Sequence, residues 1–125
     1  MKATVIIGSI FLGLIGIFLL VFGVPIMNVQ MDGCDVVTAE INGINGNTAT
    51  KDISVSLKGD HNYYYINRGL EAGLQVAELK DKTLHQTASI HYARHWSLLN
   101  YERKYRHISR VTVGDEIIYN EIQDN

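Results

Sequence analysis

The sequence predicts an α+β protein: one N-terminal transmembrane helix followed by a small β-rich domain containing a single helix. Three observations carry this. Apolar and small residues run from Thr4 to Val29, with no charge after Lys2. The later segments alternate apolar and polar residues with a period of two more often than with the helical period. The chain also closes on a strong hairpin signal, Ile108–Val113, then Gly114-Asp115, then Glu116–Ile122.

Fifteen of the residues from Val5 to Val24 are Leu, Ile, Val or Phe. At about −0.3 to −0.6 kcal/mol each, they favour insertion by roughly −5 to −9 kcal/mol before glycine offsets. Some 25 helical residues reach about 37 Å, enough to cross a hydrocarbon core of about 30 Å with tilt. A secretory signal peptide has a shorter core, about 7–15 residues, and a small-x-small cleavage site. Val24-Pro25-Ile26-Met27-Asn28 supplies no such site. The expectation is an uncleaved signal-anchor, with residues 1–3 cytoplasmic, 4–29 in the bilayer and 32–125 outside the cytoplasm.

Flanking charge sets that orientation. Lys2 and the α-amine precede the span, whereas no Lys or Arg follows it until Lys51, and Asp32, Asp35 and Glu40 stand there instead. No ionisable residue lies within the span, which argues against an ion pathway or proton relay. Ser9, Gly13, Gly16 and Gly23 fall near one helical face, a surface on which a second copy can pack as a homodimer.

Beyond Met31 the chain has enough residues for one modest core. Asp35–Ile41 places Val37, Ala39 and Ile41 on one face, and Ile53–Leu57 alternates strictly, so both read as strands. Between them Asn42–Asn47 reads as a turn, because Asn and Gly tolerate positive φ. Tyr63–Ile66 reads as a third strand. Leu70, Leu74 and Ala77 recur at helical spacing and predict a helix over about 70–82, weakened by Gly73. Ala88, Ile90 and Tyr92 restore the strand pattern before the closing hairpin. Three strands, a helix and three more strands resemble the element order of the OB-fold, a small Greek-key barrel, with one strand extra. An antiparallel sheet with one helix is the alternative arrangement.

Ser56–Asp60, Tyr64–Glu71 (YYINRGLE), Arg94-His95-Trp96 and Gly114–Tyr119 together resemble a pattern in uncharacterised small bacterial single-pass membrane-anchored proteins with a β-rich outer domain. The resemblance implies an anchored β-rich domain and brings no catalytic residues with it.

Candidate sites are few. His85, His91 and His95 suggest a metal site, and His91-x-x-x-His95 suits a helix turn. In a strand those two lie roughly 13 Å apart, so no metal and no cofactor are expected. Arg94, Trp96, Arg103 and Arg106 lie in a basic, aromatic stretch and are expected to face solvent together as a binding surface. Outside the cytoplasm such a surface meets lipid headgroups, an envelope protein or an anionic polymer, and nucleic acid is not expected. Tyr64, Asn67 and Arg68 sit at a strand end where a barrel rim contacts ligands. Cys34 stands between Asp32 and Asp35, whose charge raises a thiol pKa, and reads as an incidental thiol. The chain holds no Gly-x-Ser-x-Gly, no phosphate-binding glycine loop and no His-Glu-x-x-His.

These readings favour a membrane-tethered, non-catalytic interaction module of the cell envelope. A small metal-dependent enzyme or accessory factor using His85, His91 and His95 is the alternative. A reporter fused after Asn125 is expected to be active outside the cytoplasm only, and the mature chain to retain its N-terminal segment. Cytoplasmic activity, or a mature chain beginning beyond Met27, would refute the topology.

Overall fold

The computed structural model describes residues 2–22, 29–94 and 97–123. Helix α1 spans Lys2–Phe22, about 31 Å of helix. It is long and apolar enough to cross a membrane, and none of it is buried against the rest of the chain. Gly23 of the small-residue face and residues 24–28 of the predicted span lie outside the described residues, and Val29, the predicted end of the span, lies beyond α1. Ser9 donates its hydroxyl back to Val5 O (2.9 Å), so this part of the face satisfies its own polar group.

Strands β1 (Cys34–Gly46), β2 (Ile53–Leu57) and β3 (Tyr63–Ile66) come next, then helix α2 (Val76–Thr83), then β4 (Thr87–Ala93), β5 (Tyr105–Val113) and β6 (Glu116–Asn120). The first half of β1 pairs with β4 and the second half with β2. β2 pairs with β3, and β4 with β5, all antiparallel. A parallel pairing of β3 with β5, Tyr63 opposite Tyr105 through Tyr65 opposite His107, closes the ring. The result is a five-stranded barrel with OB-like topology, and β6 extends β5 as a hairpin outside it.

Alternation fills the interior. Ile41, Ile44, Ile53, Val55, Tyr64, Ile66, Ile90 and Ile108 are almost wholly buried and form one cluster. α2 covers one part of it through Leu79. Eight residues are too few for a helix stable by itself, so packing of Leu79 and Val76 must hold it.

Two expectations from sequence are corrected. Asn42–Gly46 is strand rather than turn: β1 continues through it with a register shift between Ile41 and Gly43. A strand shared between two partners must bend, and a bulge provides the bend. The turn lies just beyond, where Asn47 Oδ1 accepts from the amides of Ala49 (2.9 Å) and Thr50 (3.2 Å). The helix over 70–82 instead starts at Val76. Arg68 (φ 51°) and Gly73 (φ 89°) hold left-handed conformations that no right-handed helix passes through. Leu70 and Leu74 still pack on the core, so their spacing recorded burial rather than helix.

Gly69 is the tightest glycine of the domain. A Cβ there would stand 2.8 Å from Ile53 Cδ1 and 3.1 Å from Ile66 Cγ2. Gly69→Ala is therefore expected to cost about 1–3 kcal/mol by overpacking. Gly33→Ala, which meets nothing within 4 Å, should stay within about 0.5 kcal/mol. Chemical denaturation of the two variants tests this, and equal stabilities would refute it.

Candidate functional site

The pattern that buries Ile53, Val55, Tyr64 and Ile66 turns Ser54, Tyr63 and Tyr65 to the outside of the barrel. The parallel register then sets Tyr105 beside Tyr63. The Tyr63 and Tyr65 rings stack with centroids 5.9 Å apart, and Tyr105 meets Tyr63 edge-on at 5.6 Å. Tyr63 is 41% exposed and Tyr105 60%, so this aromatic surface faces solvent. Burial, and then the charge of Asp52, push the Tyr65 phenol pKa up, which keeps it a neutral hydrogen-bonding group.

Beside the tyrosines runs an open groove of about 340 Å³, lined by Asn45, Gly46, Asn47, Thr48, Ser54 and Tyr63. Its floor is the β1–β2 ladder, where Asn45 opposes Ser54, and Ser54 Oγ donates to Asn45 O (3.3 Å). Amide, hydroxyl and phenol groups line it, with no carboxylate, amine or guanidinium. Such a lining offers hydrogen bonds and an aromatic face, not charge.

The expected basic surface is not one surface. Arg106 points inward. Its Nη1 donates to Tyr64 Oη (2.6 Å), its guanidinium lies 4.6 Å from the Tyr92 ring centroid, and its Nε donates to Arg103 O (3.0 Å). The reason is register: Arg106 stands opposite Tyr64 where the barrel closes. Arg94 bends back onto the chain, donating to Asp32 O and lying 3.8 Å from Asp35 Oδ1. Lys104 pairs with Glu102 at 2.6 Å. Arg103 remains exposed, and Trp96 lies outside the described residues.

Tyr64 is likewise corrected from a rim residue to a core one. Its hydroxyl donates to Asp60 Oδ2 (2.7 Å), and burial, then the Asp60 hydrogen bond, push its pKa up to about 12. Asn67 and Arg68 are exposed, but Arg68 is engaged with Glu71 (3.6 Å), and its amide donates to Asp52 Oδ1 (2.8 Å). The structure therefore separates Tyr64 from Asn67 and Arg68.

The histidines do not assemble. His85 lies in the turn before β4, with Nδ1 3.7 Å from Glu40 Oε1. His91 lies in mid-β4, and burial, then the Arg110 charge, lower its pKa. His95 lies outside the described residues. Among the described residues no group of three His, Cys, Asp or Glu is placed to hold a metal ion.

A buried polar cluster escaped the sequence reading. His107 Nε2 meets Glu121 Oε1, and Tyr119 Oη donates to Glu121 Oε2 (3.1 Å). Ser109 Oγ is fully buried near both Glu121 and the Cys34 thiol, without hydrogen-bond geometry to either. Burial first, and Glu121 rather than Asp32 or Asp35, raise the Cys34 pKa. Despite its Ser, Cys, His and Glu, the cluster shows no nucleophile–base pair, because Ser109 Oγ has no hydrogen-bond partner among the described residues and the Cys34 thiol donates to Gln30 O (3.5 Å). Its work is structural: it fastens the segment after β6 to β5, together with Glu121 N donating to Ser109 O (2.9 Å). The hairpin register brings residues 107 and 121 together, and that was the available signal in the sequence.

Two carboxylates carry these fastenings. Burial opposes ionisation of Asp60, but hydrogen bonds from Asn62 and Tyr64, with the Arg106 charge, hold its pKa below the usual value. Burial also opposes ionisation of Glu121, and His107, then Tyr119, outweigh it. Both folded pKa values are lowered, so the stabilisation is complete above the ordinary carboxylate range and is lost as pH falls through the folded values. Urea midpoints are expected to be flat near pH 6 and to drop below about pH 4. Asp60→Asn and Glu121→Gln should each be less stable at neutral pH and show a shallower acid decline. A decline as steep as in the parent would refute the assignment.

Comparison of the chain with models of protein families, with curated proteins and with solved structures finds no match. The functional reading rests on the geometry of the barrel and its tether.

Proposed function

We propose that the protein is a membrane-tethered, non-catalytic interaction module of the cell envelope, whose barrel holds an extended, uncharged, hydroxyl-rich polymer outside the cytoplasm. The observation that carries this reading is the open groove of Asn45, Asn47, Thr48 and Ser54 beside the stacked Tyr63 and Tyr65. Amides and hydroxyls match the donors and acceptors of a glycan strand, and exposed rings match the CH faces of its sugars. A flat, rigid, aromatic surface loses little conformational entropy on binding.

Charge weighs against an anionic polymer as the principal ligand. No cation lines the groove, and Arg94, Lys104 and Arg106 are engaged within the chain. The metal-dependent alternative finds no support in the positions of His85 and His91, which stand on different elements facing different neighbours.

The test uses the full-length protein in lipid nanodiscs, titrated with a soluble oligosaccharide of β-linked N-acetylglucosamine. Tyr63→Ala and Tyr105→Ala are each expected to weaken binding about tenfold, as loss of an aromatic anchor does. Arg103→Glu should leave it unchanged. No binding of the oligosaccharide, or equal binding by the tyrosine variants, refutes the reading. Displacement by a lipid headgroup or a protein would reassign the groove to that class.

A further inference from the structure

We propose that the connection between β4 and β5 is a second membrane contact, with Leu98, Leu99 and Tyr101 entering the interfacial layer of the bilayer that α1 crosses. The inference rests on α1 as the membrane span but concerns a surface distinct from the tyrosine groove.

The position of this connection follows from hydrogen bonds. The chain leaving the span enters β1 at Cys34, and Cys34 pairs with Ala93 at the end of β4. Arg94 N donates to Gly33 O (2.9 Å), and the Arg94 side chain reaches Asp32 O. The β4–β5 connection therefore starts beside Asp32 and Gly33, in the segment that leads into β1. Gln123 N, donating to Val29 O (2.8 Å), ties a third segment to the same level. The short helical turn Leu98–Asn100 touches α1 itself. Val21, one residue before the last described residue of α1, is the least exposed residue of that helix. The contact thus lies at the end of the span from which the barrel hangs.

What this connection presents is apolar. Leu98 is 49% exposed, Leu99 65% and Tyr101 66%, although α1 lies against the turn. Outside α1, Leu98 and Leu99 are the one adjacent pair of exposed large aliphatic side chains among the described residues. Two leucines left largely in water forfeit the hydrophobic gain of burial. Tyr101 adds an apolar ring with a polar tip, the form of side chain that collects at bilayer interfaces. Arg103 lies two residues further on and is exposed, as a cation at the phosphate level is, while Lys104 is paired with Glu102. The turn is held from within: Asn100 Nδ2 donates to Tyr105 O (2.8 Å), and Tyr105 N donates to Asn100 Oδ1 (3.1 Å). A stiff wedge of this kind, beside the span, would fix the tilt of the barrel on the membrane, which a single tether cannot do.

The experiment places an environment-sensitive fluorophore at Leu99→Cys, and separately at Asp115→Cys, in the full-length Cys34→Ser protein. Both are reconstituted in phosphatidylcholine–phosphatidylglycerol nanodiscs. Asp115 stands in the β5–β6 turn, at the far end of β5 from Tyr105. The label at Leu99 is expected to emit to the blue and to be quenched by lipids carrying a quencher high on the acyl chain. The label at Asp115 should be quenched by aqueous iodide instead. Leu98→Ser combined with a label at Tyr101→Cys should shift that label from lipid to aqueous quenching. A Leu99 label open to iodide like that at Asp115, or shielded from both quenchers, overturns the proposal. A label at Gly13→Cys reports the span in the same discs: aqueous quenching there overturns the span as well, whereas lipid quenching there with an aqueous Leu99 overturns the wedge alone.

Discussion

The parallel pairing of β3 with β5 is the constraint on which the rest of this structure depends. It joins residues some forty positions apart and converts an open meander into a closed barrel. Closing a long loop costs entropy that local contacts cannot offset, so the pairing must be held by what it brings together. Here that is Tyr64 opposite Arg106, with Asp60 beyond: a buried hydroxyl between a guanidinium and a carboxylate, and a cation over the Tyr92 ring. Each member satisfies another, as buried polar groups require.

The same pairing makes both surfaces. By setting Tyr63 against Tyr105 it widens two strand tyrosines into a platform along the groove. By bonding Tyr63 N to Lys104 O (2.6 Å), it also fixes where the β4–β5 connection ends. One surface is hydroxyl- and amide-rich, and the other is apolar and touches α1. His107 and Glu121, with Ser109 beside them, fasten the segment after β6 to β5.

Surface charge plays a smaller part than its abundance suggests. Lys58 with Glu40, Lys82 with Glu78, and Arg68 with Glu71 are exposed pairs of the kind that contribute little to stability. Asp60 and Glu121, both with lowered pKa, bind segments together.

Much of the architecture was legible in the chain because local rules act on adjacent residues. The apolar run of α1, the alternation of Ile53–Leu57 and the Gly114-Asp115 turn each depend on neighbours a few positions apart, and their order matched the OB-like barrel. Asn42–Gly46 misled because a bulge and a turn favour the same residues, and only the partner strand decides between them. Leu70 and Leu74 misled because burial at helical spacing does not require a helix. The site was less legible. Tyr63 and Tyr65 share a face by alternation, whereas Tyr105 joins them only through the non-local register. Arg106 looked like a surface cation until that register set it against Tyr64. The sequence by itself determined where a helix long and apolar enough to cross a membrane lies and which segments alternate as strands, since these follow from side-chain size and polarity along the chain. Which residues meet, and which charges are already engaged, was decided by tertiary pairing, because barrel closure joins strands that no local rule connects.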